Sequence, residues 1–168
     1  MDVFEAIRTV LAVRSYQDKP VPDDSLRRIL EAGRLTASSM NGQPWHFVVV
    51  QNRDTLRQLG SALRTGPYVA QAPLAIVVVI DPTTYAMSDA SRAIQSMLLT
   101  AWSDGLGSNW VGFGGLDTVK PLLGIPASAE VFAVLPIGYP REMKGQGKKR
   151  RKALSEVAFR EHWDQPFA

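Results

Sequence analysis

The chain has 168 residues, of which 45% are hydrophobic and 21% are charged, a balance typical of one globular domain and not of a disordered protein. The absence of cysteine excludes a disulfide framework, a thiolate nucleophile and a cysteine-ligated metal site. The net charge is +3, and five cations stand together at positions 148–152, so the rest of the chain is slightly acidic and lacks the broad basic surface of a nucleic-acid-binding protein.

No targeting or membrane segment is predicted. The amino terminus, MDVFEAIRTVLAV, carries Asp2 and Glu5 where a secretory signal carries positive charge. The longest apolar run, residues 74–80, is far shorter than the roughly 20 residues of a membrane span. No repeat or linker divides residues 1–168, so we expect a single domain, and a cytoplasmic location fits the lack of cysteine.

The first part of the chain predicts two amphipathic helices. Apolar residues recur at helical spacing over about residues 2–11, and this apolar face requires a core to pack against. A second helix begins near VPDDS, where Asp23 or Asp24 can cap its amino end, and runs toward Leu35. The sequence SSMNGQP then ends the helical pattern.

Strands and helices alternate through the rest of the chain. HFVVVQ at residues 46–51 and LAIVVVI at 74–80 predict buried strands, with a helix in DTLRQLGSALR between them. A helical stripe over residues 89–102 predicts a central helix that stops at GLG. SNWVGF and VFAVLPIG predict further strands around a short helix. This order predicts an α/β or α+β sandwich.

General catalytic templates are absent. His46 and His162 are the only histidines and lack the spacing of metal ligands, so we predict no metal. GFGG at residues 112–115 is no Walker loop, because no Gly-Lys-Ser/Thr follows it. Nor does any G-x-G-x-x-G follow a strand. The sequence therefore offers no catalytic side chain of its own.

The most informative stretch is TASSMNGQPWHF, residues 36–47. It crowds two serines, an asparagine and a glutamine into a connection between helix and strand. Short polar side chains at such a place bond either the backbone or a ligand. On chemistry alone, a loop that caps the neighbouring elements and a loop that binds a ligand both remain open.

This stretch resembles the signature of the flavin-dependent nitroreductase family, P-S-S-x-N-x-Q-P-W-x-F, with Ala37 in place of the leading proline. The resemblance covers nearly the whole chain, including VRSYQDKPVPDDSLRRILEAGRLT, DASRAIQSMLLTAWSDGLGSNWVGF, VKPLLGIP, VLPIGYP and KKRRKALSEV. It implies an α+β three-layer sandwich, whose mostly antiparallel central sheet is flanked by helices. It also implies an intertwined homodimer with two FMN sites, each built from both subunits.

The function that the resemblance implies is that of an FMN-dependent oxidoreductase. It takes a hydride from NADH or NADPH and reduces a small electrophilic acceptor, such as a nitroaromatic or a quinone, by a ping-pong mechanism. The cofactor then carries the chemistry, which accounts for the missing catalytic side chain. Two alternatives remain: a relative with different flavin or deazaflavin chemistry, and a non-catalytic protein that binds flavin or nucleic acid through residues 148–152.

The resemblance also assigns cofactor-binding residues. Four polar side chains of the signature would line the flavin ring or its ribityl chain: Ser38, Ser39, Asn41 and Gln43. The backbone around Val111 and Gly112 would face the reactive N5 edge of the flavin, where a small residue permits close approach. Trp110, which precedes them, is expected near the flavin.

The basic run then has a specific interpretation. The family clamps the FMN phosphate with a Lys-x-Arg pair near the carboxyl end, and Lys149 and Arg151 match this pair. Such cations donate several charge-assisted hydrogen bonds to a phosphate. The interpretation predicts that Lys149→Ala and Arg151→Ala each weaken FMN retention, whereas Lys148→Ala has little effect.

One part of the expected phosphate site departs from the family pattern. The family carries basic-basic-Ser-x-basic on and after its first helix, where this chain has Val10, Leu11, Ala12, Val13 and Arg14. Only Arg14 survives. Charge-assisted donors are each worth roughly 1.5–3 kcal/mol, so their loss weakens flavin affinity by orders of magnitude unless it is compensated. Arg8 or the run at 148–152 is expected to compensate; a loosely held or different cofactor is the alternative.

Overall fold

An antiparallel sheet forms the centre of the chain. The computed structural model describes residues 1–112, 116–142 and 149–167, and within these ranges the sheet has four strands in the order β1-β2-β4-β3. Each strand is antiparallel to its neighbour. The strands are β1 (Trp45–Val50), β2 (Leu74–Ile80), β3 (Gly107–Ser108) and β4 (Glu130–Gly138).

Helices surround the sheet. The described α-helices are α1 (Val3–Thr9), α2 (Asp23–Arg34), α3 (Arg53–Ala62), α4 (Ala86–Ser103) and α5 (Val119–Leu123). Short 3-10 helices cover Ser39–Asn41, Pro67–Gln71, Leu116–Thr118 and Leu154–Glu156. Among the described residues, no helix combines the length and the apolar character needed to cross a bilayer.

Helices on both faces of the sheet explain why β2 is buried at every residue. Successive side chains of a strand point to opposite faces. Ile76 and Val78 therefore join one core with α2 and α4, whereas Val77 and Val79 join a second core with α3 and α5. The result is the helix–sheet–helix sandwich of the α+β class that the sequence predicts.

Most elements lie close to their predicted positions, but the cap of α2 and the extent of one strand differ from the sequence analysis. Pro22 occupies the N-cap position of α2, and Asp23 and Asp24 lie in the first turn, where their charge still faces the positive end of the helix dipole. The strand predicted in SNWVGF is reduced, within its described residues, to Ser108 at the end of β3 and a bridge from Val111 to Val134.

α4 ends at the predicted GLG. Gly105 has a φ of +76°, a left-handed conformation that glycine adopts without strain. The N–H groups of Gly105 and Leu106 donate to the carbonyl groups of Trp102 and Ala101, at 3.0 and 2.9 Å. This pattern is a Schellman motif. It turns the chain sharply from α4 into β3 and the polar residues that follow.

Among the residues that the structure describes, the apolar face of α1 finds no core to pack against, contrary to the expectation from its sequence. Val3 and Phe4 are 72% and 74% exposed. The helix is attached through another side, where the indole N–H of Trp102 on α4 donates to the hydroxyl oxygen of Thr9 at 2.9 Å. A cluster of exposed apolar side chains is typical of an interaction surface.

Candidate functional site

A cavity of about 650 Å³ lies between α1, α4 and the carboxyl-terminal segment. Three cations reach its wall: Arg8 from α1, and Lys149 and Arg151 from the basic run. The structure therefore brings the Lys-x-Arg pair together with Arg8, which was expected to compensate for the lost family cations. Lys148 lies outside the described residues.

Lys149 and Arg151 have no acidic partner among the residues that the structure describes. The ammonium group of Lys149 donates to the carbonyl group of Ile7, and Arg151 donates to the carbonyl group of Arg150 at 2.9 Å. Burial and the neighbouring guanidinium of Arg151 together lower the pKa of Lys149. Two adjacent cations without a carboxylate attract an anion, which offers each of them the missing counter-charge.

Arg8 lies in the same cavity as the positions that lack the family's cations. Val10, Leu11 and Ala12 all line its wall. The guanidinium of Arg8 donates two hydrogen bonds, at 2.8 and 2.7 Å, to the carboxylate of Glu5 one turn earlier. These hydrogen bonds and the charge of Glu5 raise the pKa of Arg8, which stays cationic. Its charge is thus present at the wall, but it is shared with an exposed carboxylate.

Three polar wall residues were not singled out by the sequence analysis: Gln95, Ser108 and Asn109. Ser108 and Asn109 are buried, and the amide of Asn109 donates to the hydroxyl group of Tyr68. The only sequence signal for Ser108 and Asn109 was that they belong to the strand predicted around Trp110. The reduced strand places Asn109 and Trp110 at the cavity instead of in a regular ladder.

Trp110 lines the cavity and meets Phe132 edge to face with ring centroids 5.4 Å apart. Gly112 allows this position, because a Cβ atom there would collide with the indole nitrogen of Trp110. Val111 is different: its side chain is buried in the core, and its N–H and carbonyl groups both bond to Val134, at 3.0 and 2.8 Å. The backbone of Val111 therefore has no free donor for a ligand, and its assignment to the cofactor stays a prediction.

The signature loop, residues 38–43, lies apart from the cavity. None of its four predicted binding residues lines the wall, and neither does Arg14, which is exposed. The loop contacts Asp89 of α4, whereas Leu98 of α4 lines the cavity. At 3.6 residues per turn, Asp89 and Leu98 lie on opposite sides of the helix. One chain alone therefore does not bring the two sets of predicted residues together.

The signature loop has an unusual backbone. Met40, Asn41 and Gln43 have φ values of 54°, 54° and 48°. Each non-glycine residue in this region costs of order 1–3 kcal/mol, and such residues concentrate at functional sites. Internal hydrogen bonds support the loop, including one at 2.9 Å from the N–H of Gln43 to the hydroxyl oxygen of Ser38. Met40, 95% exposed at the tip, shows that this strained loop faces outward.

Comparison with known proteins identifies the family. The model of the nitroreductase family matches residues 8–83 and 69–139, which together span most of the chain. The chain therefore belongs to the nitroreductase family, a family of oxidoreductases, as the signature loop indicates.

Individual relatives agree with this assignment. A protein of Methanothermobacter thermautotrophicus, named as an NADH dehydrogenase/NAD(P)H nitroreductase, is 38% identical over 86% of this chain and 81% of its own length. A structure of a similarly named protein from Bacteroides thetaiotaomicron has a TM-score of 0.87 at 30% identity and covers 97% of both chains. An FMN-dependent nitroreductase from Clostridium difficile has a TM-score of 0.87 at 25% identity, over 95% of this chain and 99% of that one.

We predict that inorganic phosphate binds at the Lys149 and Arg151 pair. If bound phosphate stabilises the folded state by about 1 kcal/mol, the melting temperature rises by about 2–4 °C in a chain of this size. Differential scanning fluorimetry detects a shift of this size. Lys149→Ala and Arg151→Ala are each expected to lose this shift. Arg150→Ala is the matched control, because Arg150 carries the same charge but does not line the cavity. If all three variants lose the phosphate-induced rise in melting temperature equally, the basic run attracts phosphate only through its overall positive charge and not through specific contacts.

Proposed function

We propose that this protein is an FMN-dependent oxidoreductase that uses NADH or NADPH to reduce a small electrophilic acceptor, such as a nitroaromatic or a quinone. The observation that carries the proposal is the pair of Lys149 and Arg151, which share one cavity wall without an acidic partner among the described residues. Family membership and the FMN-dependent relative from Clostridium difficile support it. The cytoplasm is the compartment we expect.

The residues of the cavity fit FMN. Arg8, Lys149 and Arg151 offer the positive charge and the multiple donors that a phosphate requires. Trp110 offers an aromatic surface, and the buried amide and hydroxyl groups of Asn109 and Ser108 offer polar contacts. The volume of about 650 Å³ is within the usual range of cofactor pockets.

The chain supplies binding and orientation in this proposal. The described wall of the cavity contains no histidine and no carboxylate, so it lacks the commonest general acids and bases. FMN, when bound, supplies the hydride and electron transfer. A single cavity of this kind would receive the nicotinamide donor and the acceptor in turn, which is the basis for a ping-pong mechanism.

We further propose a homodimer in which the signature loop of one chain completes the cavity of the other, because the loop and the cavity lie apart within one chain. The exposed apolar face of α1 lies next to the cavity: Ile7, which is 47% exposed, both belongs to this face and lines the wall. The carboxyl-terminal segment adds exposed apolar side chains at Leu154, Val157 and Trp163. A partner that covers these surfaces can bring its own loop 38–43 to the cavity.

The direct test of the function is cofactor binding followed by turnover. FMN added to the purified protein should bind and give a flavin absorption spectrum, and NADH or NADPH oxidation should then depend on a quinone or nitroaromatic acceptor. Lys149→Ala and Arg151→Ala should each raise the dissociation constant of FMN about tenfold or more, while Arg150→Ala should leave it unchanged, as calorimetry can measure.

Other results would contradict this proposal in distinct ways. A protein that takes up no FMN would overturn it. Turnover with reduced deazaflavin alone would indicate the alternative cofactor chemistry. Salt-sensitive binding of DNA or RNA, without NAD(P)H oxidation, would indicate a non-catalytic binding protein that uses the basic run.

Arg8 is expected to replace part of the lost phosphate contacts. Arg8→Ala should weaken FMN binding about tenfold, because a charge-assisted contact is removed. Glu5→Gln should preserve or tighten binding, because Glu5 competes with the phosphate for the guanidinium of Arg8. Titration of both variants with FMN, beside Arg14→Ala, checks this. A loss confined to Arg14→Ala would assign the phosphate contact to the surviving family cation instead.

The proposed dimer depends on the exposed face of α1. Phe4→Glu should produce a monomer in analytical ultracentrifugation, because it places a charge within an apolar interface. The same variant should lose FMN, since the monomer lacks the loop of its partner. Circular dichroism should show an intact fold, and Phe4→Leu should remain dimeric. A wild-type monomer that retains FMN would rule out the shared site.

A further inference from the structure

Asp89 is the one charged side chain that is buried among the residues the structure describes, with 1% exposure. It lies in the first turn of α4. A buried carboxylate is costly unless charges and hydrogen bonds compensate it, so its partners indicate its role. The cofactor chemistry proposed above assigns no part to this residue.

The partners of Asp89 lie in the signature loop and on its own helix. The backbone N–H of Ser39 lies 3.0 and 3.1 Å from the two carboxylate oxygens, and the hydroxyl group of Ser39 donates to Oδ1 at 3.0 Å. Arg92, one turn further along α4, also donates to Oδ1. Burial acts to raise the pKa of Asp89, but these hydrogen bonds and the charge of Arg92 outweigh it and lower the pKa. The carboxylate is therefore ionised.

The bonds to Ser39 fasten the loop at the point where its strained part begins. Met40, Asn41 and Gln43, the residues with positive φ, all follow Ser39. The carbonyl group of Ser39 accepts the N–H of Gly42 at 3.0 Å, so the fixed residue also closes the turn. An isolated segment with three left-handed residues would relax. The hydrogen bonds to Asp89, which lies outside the loop, keep this conformation populated.

We propose that Asp89 is a positioning residue for the cofactor, since it holds Ser39 and thereby keeps loop 38–43 in the conformation that presents Ser38, Asn41 and Gln43. The inference rests on the proposed function for the identity of the ligand. It also changes the role of Ser39: both its N–H and its hydroxyl proton are committed to Asp89, so the hydroxyl oxygen meets a ligand only as an acceptor.

The first experiment needs no flavin. Asp89→Asn keeps the shape of the side chain but removes its charge, and it should speed amide hydrogen exchange at Ser39, Asn41 and Gly42 in flavin-free protein. Asp54→Asn is the matched control, because Asp54 also pairs with an arginine three residues later in the first turn of a helix, yet it is exposed and lies outside the loop. The control should exchange like the wild type.

The second experiment measures the dissociation constant of FMN. Asp89→Asn should raise it about tenfold or more, the effect typical of a residue that orients a binding group. Asp89→Asn combined with Ser39→Ala should weaken binding by less than the product of the two single effects, because both changes act through one contact. Unchanged FMN affinity and unchanged loop exchange in Asp89→Asn, even with a lower melting temperature, would overturn the inference and leave Asp89 a purely structural residue.

Two outcomes separate this inference from the proposed function. If the wild type binds no FMN, the proposed function fails, while the exchange experiment still decides whether Asp89 holds the loop. If Asp89→Asn does not fold, Ser39→Ala in flavin-free protein takes its place. Exchange at Asn41 and Gly42 should then rise, and wild-type exchange rates would overturn the inference.

Discussion

The structure depends on the complete burial of β2 between two layers of helices. Because every residue of Leu74–Ile80 is buried, the strand needs apolar partners on both faces, and the two cores supply them. α4 is the largest helix of one layer. Because one face of α4 packs on the sheet, the positions of the residues on its remaining sides are fixed. One side holds the signature loop through Asp89, and the opposite side forms part of the cavity wall through Leu98.

Within one chain, the signature loop and the cavity are thus separated by the body of one well-packed helix. Side chains that grip a cofactor must be held within a fraction of an ångström, and rigid elements achieve this better than loops do. Here the loop is held by the buried carboxylate of Asp89, which pairs with the half-exposed guanidinium of Arg92. Just before the loop, the hydroxyl group of Thr36 donates to Ser96 of α4 at 2.8 Å. The arrangement explains how exposed and strained residues can still be positioned accurately.

The sequence was sufficient for the features that local pattern or motif determines. The all-apolar run at 74–80 predicted β2, GLG predicted the end of α4, and SSMNGQPW predicted the family. Features that depend on long-range contacts were not predictable. The stripe of α1 has the periodicity of a buried helix, but the described part of the chain offers it no core. Asp89 has the sequence pattern of an ordinary acid in the first turn of a helix, and only the structure shows that Ser39 contacts it. Asn109 likewise became a wall residue only when the predicted strand proved irregular.

The position of α1 has a thermodynamic consequence. This seven-residue helix exposes an apolar face and contributes Arg8 and Ile7 to the cavity wall. The carbonyl group of Ile7 on its last turn accepts a hydrogen bond from Lys149. In the proposed assembly, a second chain and a phosphate would therefore act on the same small element. If binding of one of them orders α1, the other no longer pays the entropy of ordering this helix and binds more tightly. By linkage, each raises the affinity of the other by the same factor. Subunit affinity would rise with cofactor concentration, and a dilute protein would release its cofactor and its partner together.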